Sequence, residues 1–174
     1  MSGCASGRLR SEAVSLILKT LIFTVLVPGM ATVGVPYVLL SSDLQYSLSV
    51  PHPLGGVGAV PVLVGVGIYL WCAADFIFAG QGTPNPADPP KLLVSRGLYN
   101  WVRNPMYVGI VLILLGEGLV FDSLTLIVYA ATLWLLFHLR VLWYEERNLR
   151  AQFGASYVEY CRRVPRWIPY RRRV

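Results

Sequence analysis

The sequence has few charged residues: Asp, Glu, Lys and Arg make up only 14% of its 174 residues. A soluble domain usually carries about 25%, and the mean hydropathy of +0.56 is also high. Apolar runs of roughly 20 residues recur, which is the length that crosses the hydrocarbon core of a bilayer. We therefore expect a polytopic membrane protein, and we attribute its net charge of +6 to topology rather than to nucleic-acid binding.

Residue sets for several kinds of catalysis are also missing. The three cysteines, Cys4, Cys72 and Cys161, are far apart, form no CxxC pair and have no His at ligand spacing, so no metal site is expected. The sequence has no Walker loop, no HExxH motif and no Ser/His/Asp set, and the GxG at Gly80 follows no strand. Any chemistry must then come mostly from a bound reagent that the protein positions.

Four apolar spans are predicted, at about 13–40, 57–79, 104–121 and 124–144, with a tight turn at Asp122-Ser123. Pro28-Gly29 and Pro36 interrupt the first span, which we expect to be kinked, a helical hairpin being the alternative. An amphipathic helix then reaches about Arg163, and its aromatic residues suggest that it lies on the membrane surface. The predicted fold is all-α, with an N-terminal two-span region (1–79) and a second region (80–174) of loop, two spans and C-terminal amphipathic helix.

The basic residues predict the orientation in the membrane. All 15 Lys and Arg fall in the N-terminus, the middle loop, the tail, or span ends that adjoin them, whereas 41–56 and 122–123 contain none. Four spans place the basic segments on one face. By the positive-inside rule, both termini and the 80–104 loop should be cytoplasmic.

The polar, aromatic stretch Leu92–Gly109 ends in a predicted helix start. Asn104 is suited to the N-cap and Pro105 to the first helical position. The free backbone N–H groups at Met106 and Tyr107 would lie at the positive end of the helix dipole, beside the permanent charge of Arg103. Such an arrangement favours a carboxylate or a phosphate.

Other polar residues lie close to or inside the spans. Glu145-Glu146 follows the fourth span directly and forms either a solvated helix exit or the wall of a cavity. Arg140, one turn inside that span, either snorkels to the interface or orients a substrate. We expect Asp75 to pair with a basic residue of the middle loop, and Glu117 and His138 to be structural.

These residues resemble those of the integral-membrane methyltransferases of the isoprenylcysteine carboxyl methyltransferase and phospholipid N-methyltransferase type. The resemblance covers roughly the last 95 residues, and its pieces keep their order and spacing. They are Gly80-Gln-Gly-Thr-Pro-Asn-Pro, Leu93-Val94-Ser-Arg-Gly97-Leu-Tyr99, Arg103-Asn-Pro-Met-Tyr107-Val-Gly109, Glu145-Glu146, and Phe153-Gly-Ala-Ser-Tyr157-Val-Glu-Tyr160 before Val164-Pro-Arg.

The resemblance implies that S-adenosylmethionine is the cofactor. Its adenosine side would lie against Lys91, Leu92, Leu93 and Val94, with Gly97 and Tyr99 beside them. Arg103, Asn104, Pro105 and Tyr107 would surround the methionine end, and Glu145 and Glu146 would bind hydroxyl or ammonium groups. Arg140 and Arg103 would take the catalytic roles, Arg140 by orienting a carboxylate acceptor.

The sequence departs from the family at two positions. Many relatives have His where this chain has Asn104, so a basic role at this position is unsupported. The eukaryotic carboxyl methyltransferases have an Arg one turn before the acidic pair, where this chain has Val141, with Arg140 one step earlier. The resemblance therefore supports the cofactor better than it supports a prenylcysteine substrate.

The sequence is thus interpreted as a membrane methyltransferase that acts on a lipid-soluble substrate. The acceptor is the carboxylate of a prenylcysteine-like compound or a lipid amine, and membrane lipids are the expected partners. The alternative is a non-catalytic membrane module, such as a lipid- or heme-binding subunit that keeps the fold. A small transporter would need paired broken spans, and only the first span is broken.

Overall fold

The computed structural model describes residues 14–41, 55–85 and 90–169. Its main helices are α1 (Val14–Ser41), α2 (Gly55–Phe78), α3 (Pro105–Val120), α4 (Leu124–Arg140) and α5 (Glu146–Arg163). The predicted all-α membrane fold is confirmed. The N-terminal arginines, most of the 41–56 loop and the prolines of 86–89 lie outside the described residues.

Two of the predicted spans coincide with long apolar helices, α1 and α2, and the fourth lies in the continuous helix Leu124–Arg163. The third predicted span is α3, which has only 16 residues. At 1.5 Å per residue it is about 24 Å long, somewhat less than the roughly 30 Å of a bilayer core. It packs between α2 and α4, which flank it in sequence.

The first span is one continuous helix and not a hairpin. It winds as a π-helix over Val25–Gly34, the stretch that contains Pro28. Proline has no N–H to donate within the helix. The carbonyl of Pro28 instead accepts a hydrogen bond from Thr32 Oγ1 at 2.8 Å, so the wider winding accommodates the proline without ending the helix.

Glycines bring the backbones of α2 and α3 together. A Cβ at Gly65 would lie 2.5 Å from the carbonyl oxygen of Gly109, and a Cβ at Gly109 would lie 2.9 Å from that of Gly65. Neither contact is possible for a larger residue. Gly65 therefore allows close packing of these two helices, as Gly58 does where its Cβ would lie 2.7 Å from the carbonyl oxygen of Gly116.

The predicted tight turn between α3 and α4 is confirmed. Asp122 has a φ of +48°, and Ser123 N donates to the carbonyl of Gly118 at 2.9 Å. Ser123 then caps α4 by accepting from Leu126 N. Since α3 and α4 are antiparallel, the start of α3 and the end of α4 meet at one face of the membrane.

The helix of the fourth predicted span does not end with that span at Tyr144 but runs directly into the predicted C-terminal helix. The helix continues from Leu124 to Arg163, with a π-helical turn at Val141–Glu145 and a kink at Gly154. The aromatic residues of α5 also do not face lipid. Tyr157 and Tyr160 are buried against Leu93, because the polar loop before α3 covers this side of the helix.

Candidate active site

The loop before α3 is anchored to the end of α2 by an ion pair. Arg96 Nε lies 2.8 Å from Asp75 Oδ1, which confirms the predicted pairing of Asp75 with the middle loop. Gly97 follows with a φ of +55°, and a Cβ there would lie 2.7 Å from Asp75 Oδ2. Gly97 therefore contributes to the site through the path of the backbone, which only glycine follows without strain.

Tyr99 joins this loop to two helices. It lies in a short 3-10 turn, Gly97–Asn100, and its ring packs edge-on against Phe76 of α2 at 5.7 Å. Its carbonyl accepts a hydrogen bond from the hydroxyl of Tyr160 in α5 at 2.7 Å. Burial raises the pKa of Tyr99 well above its usual value, so the phenol stays neutral and acts as a packing residue.

Glu146 is the centre of a cluster of arginines. Its Oε1 lies 3.0 Å from Arg103 Nη1 and 2.7 Å from Arg166 Nε, and Arg150 approaches Oε2 at 3.9 Å. Burial alone would raise the pKa of Glu146, but the hydrogen bond from Arg166 and the charge of Arg103 outweigh it and lower that pKa. The carboxylate is therefore held in its charged form.

The same cluster has an unused donor. Arg103 Nη1 contacts Glu146 and, at 2.9 Å, the sulfur of Cys161, while Arg103 Nε is buried and has no hydrogen-bond partner among the described residues. A buried guanidinium N–H that lacks an acceptor is unfavourable. Three arginines surround one carboxylate here, so the cluster carries two positive charges in excess and suits an anion.

Glu145 belongs to a second cluster beside the first. Tyr107 of α3 and Arg140 of α4 both donate to Glu145 Oε1, the latter from Nε at 2.8 Å. Arg140 and Glu145 are five residues apart, and the π-helical turn of Val141–Glu145 brings this spacing onto one face of the helix. Arg140 therefore does more than extend towards the membrane interface, because it pairs with Glu145. Its side chain is still 41% exposed.

The residues after α5 form a strap, Val164–Pro169, across the start of α3. Trp167 Nε1 donates to His138 Nδ1 of α4 at 3.0 Å, and its ring lies 6.5 Å from that of Tyr107. Tyr107 in turn stacks on Phe137 at 4.3 Å. His138 is packed among aromatic rings and accepts a hydrogen bond, in agreement with its predicted structural role.

Asn104 occupies the predicted N-cap position, with Pro105 at the start of α3, but its side chain makes no capping hydrogen bond. Asn104 Nδ2 instead donates to the carbonyl of Arg166 at 3.2 Å, and Arg103 N donates to that of Pro165 at 2.8 Å. A capping bond would use the amide oxygen of Asn104 as an acceptor, whereas the strap accepts from its amide nitrogen. The predicted N-cap position is confirmed, but the capping hydrogen bond is absent, and Asn104 ties the helix start to the strap.

The structure brings one half of the predicted site together. The residues at the start of α3 and around the end of α4 form the two clusters and their contacts: Arg103, Asn104, Tyr107, Arg140, Glu145 and Glu146. Pro105 is buried beneath them. This half contains the charged groups that the sequence assigned to the methionine end of the cofactor.

The residues predicted for the adenosine side are more dispersed. Lys91 and Leu92 donate their backbone N–H groups to the carbonyl of Gly80, at 2.9 and 3.2 Å, and are exposed. Leu93 packs against the tyrosines of α5, and Val94 is buried beside Cys72. Of these four side chains, Leu93 faces the apolar cluster that also includes Cys161. The role of this half stays a prediction.

Sequence reasoning missed Arg166, Trp167 and Cys161. The Val164-Pro-Arg motif was noted for its place in the order of motifs, but no role was attached to its arginine. Arg166 is 20 residues from Glu146, and Trp167 is 29 residues from His138. No helical periodicity links positions that are separated by a kink and a strap.

Comparisons with known proteins bear on this arrangement. A family model described as phospholipid methyltransferase matches residues 56–156. The chain is 35% identical over 79 residues to protein-S-isoprenylcysteine O-methyltransferase B of Arabidopsis thaliana, covering 45% of this chain and 40% of that protein. It is 37% identical over 109 residues to the protein-S-isoprenylcysteine O-methyltransferase of Schizosaccharomyces pombe, with 60% and 45% covered. The chain spans less than half the length of these curated relatives.

A solved structure is also similar. The eukaryotic intramembrane Ras methyltransferase ICMT (isoprenylcysteine carboxyl methyltransferase) matches with a TM-score of 0.53 and 24% sequence identity, over 95% of this chain and 53% of that one. At this identity the likeness is one of fold. Together with the long apolar helices, it places this chain among integral membrane proteins.

Proposed function

We propose that this chain, which belongs to the phospholipid methyltransferase family, transfers a methyl group from S-adenosylmethionine to a lipid-soluble acceptor. One observation carries the proposal. Arg103, Tyr107, Glu145 and Glu146, which come from two separate motifs, meet at the start of α3. There they form an anion-binding cluster beside two carboxylates.

The two clusters fit the charges of the cofactor. S-adenosylmethionine carries a carboxylate, an ammonium group and ribose hydroxyls, and when bound it supplies an electrophilic methyl group on a sulfonium. The unpartnered Arg103 Nε and the start of α3 at Asn104, Pro105 and Tyr107 suit the carboxylate. Glu145 and Glu146 suit the ammonium or the hydroxyls. We assign the adenosine side to 91–94, with Gly97 and Tyr99 shaping the loop.

The strap gives this site a cover. Trp167, Tyr107 and Phe137 place aromatic rings over the start of α3, and the strap carbonyls occupy the donors of Arg103 and Asn104. Such a cover would exclude water from the acceptor. A carboxylate or amine nucleophile is weakened by its hydration, so exclusion of water and orientation would supply much of the rate.

For the acceptor we favour the carboxylate of a prenylcysteine-like amphiphile. The names of the relatives specify isoprenylcysteine O-methylation, and the clusters contain more arginines than acids. Arg140 gives only Nε to Glu145 in the contacts described, so its guanidinium fork can orient a carboxylate. A lipid amine is the second candidate, favoured by the description of the family, with Glu145 accepting the proton.

We also infer that the basic face, with both termini and the 80–104 loop, is cytoplasmic. A reporter cysteine at Ser47 should react only from the outer side, and one at Ala151 only from the cytoplasmic side. Reaction of Ser47→Cys from the cytoplasmic side would overturn this orientation.

The decisive experiment combines binding and turnover on the protein in detergent. S-adenosylmethionine should bind with measurable heat and stabilise the protein thermally, and labelled methyl should pass to N-acetyl-S-farnesylcysteine rather than to phosphatidylethanolamine. Arg140→Gln should lower transfer to the carboxylate acceptor, whereas Arg163→Ala, whose side chain is 69% exposed and pairs with Glu159, should leave transfer unchanged. If millimolar S-adenosylmethionine produces neither binding heat nor thermal stabilisation, the proposed methyltransferase function is refuted.

A further inference from the structure

Two side chains attach the strap, Val164–Pro169, to the helices beneath it. Arg166 Nε donates a hydrogen bond to Glu146 Oε1 at 2.7 Å, and Trp167 Nε1 donates one to His138 Nδ1 at 3.0 Å. The bond from Arg166 joins two charged groups and is therefore the stronger of the two. The Arg166 side chain is 29% exposed, whereas that of Glu146 is 9% exposed. Arg166 can therefore exchange Glu146 for water at a lower cost than a fully buried arginine could.

The strap and the proposed cofactor depend on the same residues but on different atoms. Strap carbonyls accept from the backbone N–H of Arg103 and from Asn104 Nδ2, at 2.8 and 3.2 Å. In the described part of the chain, both hydrogen bonds to Glu146 fall on Oε1, and Arg150 approaches Oε2 only to 3.9 Å, beyond hydrogen-bond length. Glu146 Oε2 and the buried Nε of Arg103 therefore stay available while the strap is attached.

This division of atoms determines how the strap and the cofactor are related. In the proposed function the cofactor carboxylate binds Arg103 Nε, and its ammonium can bind Glu146 Oε2. Neither contact displaces a bond of the strap, so the strap covers a bound cofactor instead of competing with it. A ligand beneath an attached strap can enter or leave only while the strap is lifted.

We propose that the strap is a gate over the cofactor site and that the ion pair of Arg166 with Glu146 is its latch. The inference rests on the proposed function and concerns its regulation: the latch sets the rates of cofactor exchange, not the affinity. Without the latch the strap lifts more often in the free and in the bound protein, so association and dissociation become faster together. The amino-acid end of the cofactor carries one charge of each sign, so loss of the Arg166 charge affects its two ends in opposite directions.

The test measures the exchange of S-adenosylhomocysteine on the full chain in detergent. Surface plasmon resonance gives the association and dissociation rate constants separately. Arg166→Gln removes the ion pair but leaves Glu146 paired with Arg103 at 3.0 Å. It should raise both rate constants by at least about fivefold and change Kd by less than about threefold, since a charged hydrogen bond is lost at a partly exposed position. Arg166→Lys keeps the charge, so its rate constants should lie between those of the wild type and Arg166→Gln.

Two further variants separate the latch from general damage. Arg163→Gln makes the same substitution just before the strap, where the side chain is 69% exposed and pairs with Glu159 at 3.6 Å. Its rate constants should stay within about twofold of the wild type. Trp167→Phe removes the second attachment of the strap without changing Glu146. It should also raise both rate constants, so the gate is tested even if Arg166→Gln fails to fold.

A measurement without ligand reports the opening of the gate. The backbone N–H of Arg103 donates to the carbonyl of Pro165 in the strap, so its hydrogen should exchange when the strap lifts. Exchange at Arg103 should be faster in Arg166→Gln than in the wild type and unchanged in Arg163→Gln. Equal exchange in all three proteins would overturn the gate.

The rate constants of Arg166→Gln distinguish the gate from its alternatives. Faster association alone would show that the strap competes with the cofactor, and faster dissociation alone would show that Arg166 supports the bound cofactor directly. Either pattern, or unchanged rate constants, would overturn the latch and leave the proposed function intact. If S-adenosylhomocysteine does not bind the wild type at all, the proposed function is refuted and the latch with it.

Discussion

Replacement of Arg103 by Ala is expected to weaken binding of S-adenosylmethionine by about 10- to 150-fold. Arg103 Nη1 is already bonded to Glu146 and Cys161, but Nε is buried and makes no hydrogen bond within the part of the chain that the structure describes. A cofactor carboxylate can therefore use Nε without displacing Glu146. A hydrogen bond to a charged group contributes about 1.5–3 kcal/mol, and each 1.4 kcal/mol is tenfold in affinity, which gives the expected range.

Calorimetry in detergent should be carried out with S-adenosylhomocysteine and with an analogue that lacks the carboxylate. The wild type should bind the analogue more weakly, and Arg103→Ala should lose little further affinity for it, because both changes remove one interaction. Arg103→Lys keeps the charge and loses the planar fork, so its affinity for S-adenosylhomocysteine should lie between those of the wild type and Arg103→Ala. Arg163→Ala is the control and should change affinity less than about threefold, since its exposed pair with Glu159 at 3.6 Å contributes little.

Removal of the Arg103 side chain does not leave Glu146 without a cation. Glu146 remains paired with Arg166 at 2.7 Å after Arg103 is removed, so the variant should stay folded, which thermal unfolding can verify. If the losses from the variant and from the analogue are strictly additive, Arg103 does not contact the cofactor carboxylate. A lipid phosphate at the interface would then be the better partner for it.

Three further predictions follow from the clusters and the strap. Glu145→Gln or Glu146→Gln should weaken cofactor binding by about 1–3 kcal/mol in at least one case, and unchanged calorimetry in both would restore the solvated-helix interpretation. Because the pKa of Glu146 is lowered in the folded protein, its stabilising contribution should be complete above the unfolded value of about 4.3 and should be lost as the pH falls further. Acid unfolding of Glu146→Gln should lack that component. Trp167→Phe removes the donor to His138 and should destabilise the attachment of the strap by about 0.5–1.5 kcal/mol. The backbone amides of 164–167 should then exchange their hydrogens faster than in the wild type. Equal exchange rates would show that the hydrogen bond between Trp167 and His138 does not hold the strap in place.

Several features of the chain are decided by neighbouring residues and were predictable from the sequence. The apolar helices follow from the match between the length of an apolar run and the thickness of a bilayer. Pro105 begins α3, and Asp122-Ser123 turns the chain, because each depends on the backbone geometry of the residues themselves. The pairing of Asp75 with the middle loop was also foreseeable, since a buried acid needs a cation and the candidates were few.

Tertiary structure alone decided which donors and acceptors combine. Glu146 bonds to Arg103, which is 43 residues away, and Asn104 gives its amide to a carbonyl 62 residues away instead of capping its own helix. In the π-helical turn, Glu145 likewise accepts a hydrogen bond from Tyr107, which is 38 residues away. A local pattern ranks the partners that a side chain has within a few residues. It contains no information on the strap carbonyls and arginines that compete for the same groups once the chain has folded.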